Sequence, residues 1–292
     1  MYRIEIRPDM NAVLSTLADT IERQRIPVDQ YLHQMKEHQM INPFQYPGNL
    51  RIGDGLPDAF WGDKGIRRIV SNHVHFGPAV ADPAAILHGC SLVELADWTE
   101  LTDNGSWDKL YSNLIKPLKR RDFQFIFHLG DVAYKPVFGI DEVLDVIGDY
   151  SSCGQVTLIL DTHEADTLWC RLNGQNAVVA GSGRPTMRDR YVFLFNTMSI
   201  DFLVVLQAGH ALQLSREGQA NVSGLLPVSI GGVINARVRF SAGFQLGLLL
   251  QLDALHSTAL GLAISGVYAK LSSGMGSLPL VEHIRAWQTS FN

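Results

Sequence analysis

Asp122-Phe-Gln-Phe-Ile-Phe-His-Leu-Gly-Asp131 and Gln155-Val-Thr-Leu-Ile-Leu-Asp-Thr-His163 decide how the first two-thirds of the chain is read. Each is a short apolar run, rich in aromatic or β-branched residues, that ends in ionisable groups. Between them Ile140 to Tyr150 has an amphipathic helical spacing. Two buried strands joined by a helix read this way, because strands covered on both faces carry near-continuous apolar runs. The pattern predicts a parallel β-α-β core. His128 and Asp131 follow the first strand, and Asp161 and His163 follow the second.

Outward from this core, Tyr2 to Arg7 alternates as a half-exposed strand. Val13, Leu14, Leu17 and Ile21, then Val28, Tyr31, Leu32 and Met35, predict a helical hairpin. Residues 42–65 are dense in Gly and Pro and form a long loop, with Phe60 and Trp61 as aromatic anchors or as a partner surface. Ile66 to Phe76 is a strand, and Trp107 to Leu118 a short helix. Residues 164–172 fit a helix or a hairpin turning at Asn173-Gly174, with helical spacing favouring the first. Gly181 to Arg190 reads as a polar break.

Beyond that break the composition changes. From Thr197 onward there are nine charged residues in 96, against 44 in the first 196. Phe202 to Gln207 and Val222 to Ile230 read as strands. Alternation at Ile234, Ala236, Val238 and Phe240, and again at Phe244, Leu246, Leu248, Leu250 and Leu252, predicts a hairpin. Thr258 to Leu271 and Leu280 to Phe291 read as helices. The expected class is therefore α+β: a mixed α/β region over 1–185 with a parallel β-α-β core, then a strand-rich, low-charge region over 186–292 ending in helices.

Bulk properties exclude several classes. A net charge of -5 gives no overall drive toward nucleic acid or anionic membrane. The basic cluster Lys116, Lys119, Arg120 and Arg121 suits a helix C-terminus, and a phosphate contact is its alternative use. Three cysteines without a CxxC pair argue against a thiolate zinc site or a disulfide framework, and a cytoplasmic setting is expected. Gln245, Gln251 and His256 interrupt the apolar C-terminal run, so no membrane span is expected.

His73-Val74-His75 is the strongest candidate for chemistry. On a strand both imidazoles share one face, and a divalent metal there needs a further His or carboxylate, which Asp131, Asp161 or His163 can supply. His-x-His before Phe-Gly-Pro resembles the first metal motif of amidohydrolases, but Ser71 and Asn72 stand where that motif carries its Asp. Leu-Gly-Asp-Val and Leu-Asp-Thr-His-Glu resemble pieces of metallophosphoesterase motifs, in reversed order. Glycine-rich phosphate loops, GxSxG and HExxH do not occur.

Two functions follow as expectations. The first is a non-enzymatic subunit or adaptor of a cytoplasmic assembly, or a homo-oligomer, docking through its low-charge C-terminal region. Interface cores are poor in charge, and the predicted hairpin presents Gln245, Leu249 and Gln251 on an outward face. The alternative is a metal-dependent hydrolase built on the His-x-His pair.

Overall fold

The structure is a computed structural model. It describes residues 4–24, 51–52, 69–70, 92–95, 98–100, 106–174, 185–225, 233–272 and 280–291. Along the chain the strands and helices are β1 (Glu5–Ile6), α1 (Met10–Gln24), β2 (Arg51–Ile52), β3 (Ile69–Val70), β4 (Leu92–Leu95), α2 (Ser106–Leu110), β5 (Phe123–Phe127), α3 (Val137–Tyr150), β6 (Gly154–Asp161), α4 (Thr162–Leu172), α5 (Met187–Thr197), β7 (Phe202–Gln207), β8 (His210–Ser215), β9 (Gln219–Ser223), α6 (Val233–Leu249), α7 (Ala254–Ser272) and α8 (Leu280–Thr289). The class is α+β, with strands paired both parallel and antiparallel. Two compact units divide the chain: Met40–Leu203, and Met1–Gln39 with Val204–Asn292. The sequence sets its division at 185/186; the units divide at 203/204, inside β7, and the first 39 residues belong with the C-terminal unit.

In the Met40–Leu203 unit, β4, β5 and β6 form a parallel ladder, with Leu95 opposite Phe127 and Phe127 opposite Leu158. Phe125, Phe127, Leu158 and Leu160 are all at most 1% exposed, as strands covered on both faces require. Phe123, Phe125 and Phe127 share one face by strand periodicity. Tyr150, at the end of α3, packs edge-on against Phe125 and Phe127 at 4.9 and 5.1 Å. Its hydroxyl donates to the Trp107 carbonyl, and burial pushes that hydroxyl well above its ordinary titration range. Gly154 opens β6 because a Cβ there would lie 2.1 Å from the Phe123 carbonyl oxygen.

Residues 164–172 are helical, within α4. Asp161 and Glu164 form a reciprocal capping box at its start. The polar break expected through Arg190 is shorter than the sequence suggests. Thr186 caps α5 with Asp189 three residues on, a second capping box inside that stretch. Trp107 to Leu118 is helical as expected, passing from α2 through a π turn and a 3-10 turn. Within the expected 42–65 loop, Arg51–Ile52 is a strand, β2, paired with β3; the second helix of the N-terminal hairpin, the rest of that loop with Phe60 and Trp61, and most of the 66–76 strand lie outside the described residues.

In the other unit the expected hairpin over 234–252 is corrected: residues Val233–Leu249 are one helix, α6. All residues from 240 to 247 are buried. With odd and even positions both buried, alternation of the largest side chains no longer reports a strand. What the segment satisfies is close helix packing. A Cβ on Gly243 would lie 2.8 Å from Gly261 Cα, and one on Gly247 would lie 2.7 Å from Ser257 Cα. Glycines one helical turn apart let α6 press its backbone against α7. β8 and β9 form an antiparallel hairpin that the sequence shows only in part, and β1 adds to β9 in parallel. Thr258 on α7 donates to Gln213 on β8, a buried polar tie between helix and strand. α8 packs on α1, where Arg285 pairs with Glu22 at 2.8 Å. Among the described residues no helix is long and apolar enough to cross a membrane.

The assigned face falls with the hairpin. Gln245 is buried within its own unit and donates to Ser241; Leu249 is half-buried in the last turn of α6; Gln251 is exposed with φ +59°.

Two outcomes follow. Gly to Ala in a free helix stabilises by about 1 kcal/mol. Here Gly243→Ala should instead destabilise by about 1–3 kcal/mol, because the added carbon meets backbone. Urea unfolding checks the sign. Asp253 caps α7 through the His256 amide, and the His256 side-chain hydrogen bond holds its carboxyl below the ordinary range. A depressed carboxyl stabilises above its unfolded pKa of about 3.9 and loses that contribution as pH falls through the folded value. Asp253→Asn should therefore lessen the loss of stability on acidification below about pH 4, read by thermal melts across pH 2–6.

Candidate functional site

The carboxyl ends of β4, β5 and β6 bring together several ionisable groups of the Met40–Leu203 unit. Parallel strands all point one way, so the residues that follow them collect at one edge. After β5 the chain runs His128-Leu129-Gly130-Asp131, and after β6 it runs Asp161-Thr162-His163.

Glu94 on β4 and His128 lie at the base of this edge. Glu94 is 1% and His128 4% exposed, with Glu94 Oε1 3.1 Å from His128 Nε2. Backbone bonds carry the ladder past the strand ends: the His128 amide donates to the Leu95 carbonyl, and the Thr99 amide to the Leu129 carbonyl, both at 2.9 Å. Gly130, with φ +80°, passes against Thr99 so closely that a Cβ would lie 2.3 Å from its Oγ1. A side chain is excluded there by both conformation and space.

Asp131 emerges from this fixed loop. Its Oδ1 accepts from the Ala133 amide at 3.0 Å, and its Oδ2 lies 3.7 Å from His163 Nε2. Both side chains are open to solvent, Asp131 at 44% and His163 at 73%. Asp161 does other work. Its Oδ1 accepts from the Glu164 amide and its own amide donates to Glu164, so it starts α4. Tyr191 is buried nearby. Burial first, then the carboxylate of Asp166, pushes its hydroxyl above the ordinary range. Arg190 pairs with Asp166 at 2.9 Å and lies over the Trp169 ring, fixing α5 to α4.

Of the five residues assigned to a metal, the structure brings Asp131 and His163 together and uses Asp161 as a cap. His73 and His75 lie outside the described residues. Among the described residues no group of three His, Cys, Asp or Glu side chains could hold a metal ion. In the basic cluster, Arg120 grips Asp122 with two bonds and stacks on Phe123 at 4.2 Å, holding the Asp122 carboxyl below its usual range. Lys116 lies over Tyr111, and Lys119 takes a left-handed conformation at the end of the helical segment. Sequence reasoning missed Glu94. A lone Glu inside Leu92-Val93-Glu94-Leu95 was the available signal, since an acid in a buried run needs a partner.

No family model matches the sequence, and no curated protein matches it. Solved structures do match. Ribokinase from Thermotoga maritima aligns at 13% identity and a TM-score of 0.45, over 75% of this chain and 62% of that one. Adenosine kinase from Sinorhizobium meliloti aligns at 12% and 0.45, over 75% and 59%. Adenosine kinase from Anopheles gambiae aligns at 13% and 0.46, over 67% and 55%. The chain thus spans less than two-thirds of the length of each. The expectation of a non-enzymatic assembly subunit is corrected: helix α6 removes the sheet face on which it stood, and the aligned chains are named as kinases. The metal-dependent hydrolase gains no support, since the pair it was built on, His73 and His75, lies outside the described residues.

Glu94→Leu should cost about 1–3 kcal/mol, because it removes a hydrogen-bond partner from a buried imidazole. Chemical denaturation checks it. A loss under 1 kcal/mol would mean that His128 does not depend on Glu94.

Proposed function

We propose that the chain is an enzyme that transfers a group to a hydroxyl of a small polar molecule bound at the carboxyl edge of β4, β5 and β6. The observation that carries this is the Asp131–His163 pair, solvent-open and 3.7 Å apart at the ends of adjacent parallel strands. One oxygen of Asp131 is engaged by the Ala133 amide, which orients the carboxylate and leaves the other oxygen facing the open side. A carboxylate so held accepts a hydroxyl proton as the hydroxyl oxygen attacks. The imidazole beside it supplies a further hydrogen bond to the substrate.

Phosphoryl transfer is the first reaction to test, and the names of the aligned kinases set the choice of acceptors. In that reaction the substrate oxygen forms the new bond to phosphorus, the bond to the departing nucleotide breaks, and Asp131 takes the proton. The purified chain is incubated with MgATP and, in turn, D-ribose, adenosine and inosine, and ADP release is followed. Acceptor-dependent release is expected, lowered about 10²–10⁴-fold in Asp131→Asn with an unchanged circular dichroism spectrum. No release with any acceptor, or full turnover by the variant, overturns the proposal.

A further inference from the structure

Asp131 opens a short 3-10 turn, Val132–Tyr134, and its side chain caps that turn through the Ala133 amide. Side chains three apart in such a turn eclipse one another. Val132 and Lys135 take the inward face: Val132 is 1% exposed, and the Lys135 ammonium lies 5.0 Å from the centre of the buried Trp98 ring. Asp131 and Tyr134 are left on the outward face, at 44% and 93% exposure. A rise of about 2 Å per residue sets their Cα atoms about 6 Å apart.

Tyr134 has no structural partner to account for it. Among the described residues its ring meets no other ring or cation, and its hydroxyl makes no hydrogen bond. A lone exposed apolar residue is ordinary. Here Val137 and Phe138 follow at 42% and 71%, so three of the seven large apolar side chains exposed among the described residues fall between 134 and 138. Apolar surface beside a few orienting polar groups is the usual make-up of a small-molecule site. A free sugar meets a phenol ring only through its C–H groups, whereas a planar aromatic group covers the whole face.

We propose that Tyr134 is a stacking platform for the acceptor, which is then a ring-bearing alcohol: its hydroxyl reaches Asp131 while a planar aromatic group lies on the Tyr134 ring. That the stacked molecule is the acceptor rests on the role given to Asp131 above. The platform selects between substrates and takes no part in the proton transfer.

Adenosine and methyl β-D-ribofuranoside are the probes, because they share the sugar and differ in the ring. Each is titrated into the full chain without nucleotide, and binding is followed by ¹H line broadening. Adenosine should bind saturably and about tenfold tighter than the methyl riboside, the scale of one base stacked on an aromatic side chain. Tyr134→Ala should weaken adenosine about tenfold and leave the methyl riboside unchanged, while Tyr134→Phe, which keeps the ring, should bind adenosine as the wild type does. At 93% exposure the side chain can be truncated without disturbing the core. Adenosine binding no tighter than the methyl riboside overturns the proposal, and so does wild-type adenosine affinity in Tyr134→Ala. The transfer reaction fails separately. Adenosine held through Tyr134 with no ADP release removes the reaction and keeps the platform; ribose-dependent ADP release with no preference for adenosine removes the platform and keeps the reaction.

Discussion

One contact between α6 and α7 is made by glycine on both sides. Gly243 meets Gly261, and the aromatic ring of Phe240 reaches over Gly261 as well, so that a Cβ there would lie 2.8 Å from the ring. Dispersion falls steeply with distance, and two helices gain most when their backbones nearly touch. Glycine loses helix propensity at each such position, about 1 kcal/mol relative to alanine. The loss is recovered only if the contact forms, so the sequence commits these helices to each other. Phe240, Phe244, Leu246, Leu260 and Ile264 are then buried around the seam, all at 1% exposure or less.

That constraint also accounts for the low charge of the C-terminal third. A helix buried over a whole stretch has little room for Lys or Glu. Among the described residues α6 and α7 bury Ser241, Gln245, Ser257, Thr258 and Ser265, each 6% exposed or less, and of these Ser257 Oγ has no hydrogen-bond partner. Gln245 bonds Ser241, and Thr258 bonds both Gln213 and the Ala254 carbonyl. Neutral side chains that satisfy each other are the affordable kind of buried polarity. Charge depletion therefore signals an interior within the unit, and it needs no partner to explain it.

The β-α-β core was legible because its strands carry so many large side chains in so few residues. Five positions from Phe123 to Phe127 hold three phenylalanines and an isoleucine, and no solvated structure accommodates that. The α6 segment misled for the opposite reason. Its bulk alternates, while its helical signal sits in Gly243 and Gly247, residues that periodicity counts as blanks. Helix α5 was hidden for a local reason: Arg188, Asp189 and Arg190 look like loop until Thr186 and Asp189 are seen as a reciprocal cap. At the site, Asp131 and His163 could be listed from the strand ends. Their meeting could not, since the 3.7 Å between them depends on how β5 and β6 are registered.

That register is itself set by backbone more than by side chains. Gly154 opposes Phe123, and only the missing Cβ lets β6 begin there. Four residues later Leu158 faces Phe127, and three further on Asp161 starts α4 and so places His163. On β5 the ladder continues past Phe127 through the His128 amide, and Gly130 turns left-handed against Thr99 to release Asp131. A residue with a side chain at Gly130 would meet Thr99 and would also resist φ +80°. The loop would then move, and Asp131 with it, although neither glycine touches the carboxylate. A shift of an ångström in such a loop is enough to spoil an aligned proton acceptor. The placement of Asp131 and His163 at this edge thus rests on two positions where the chain carries no side chain at all.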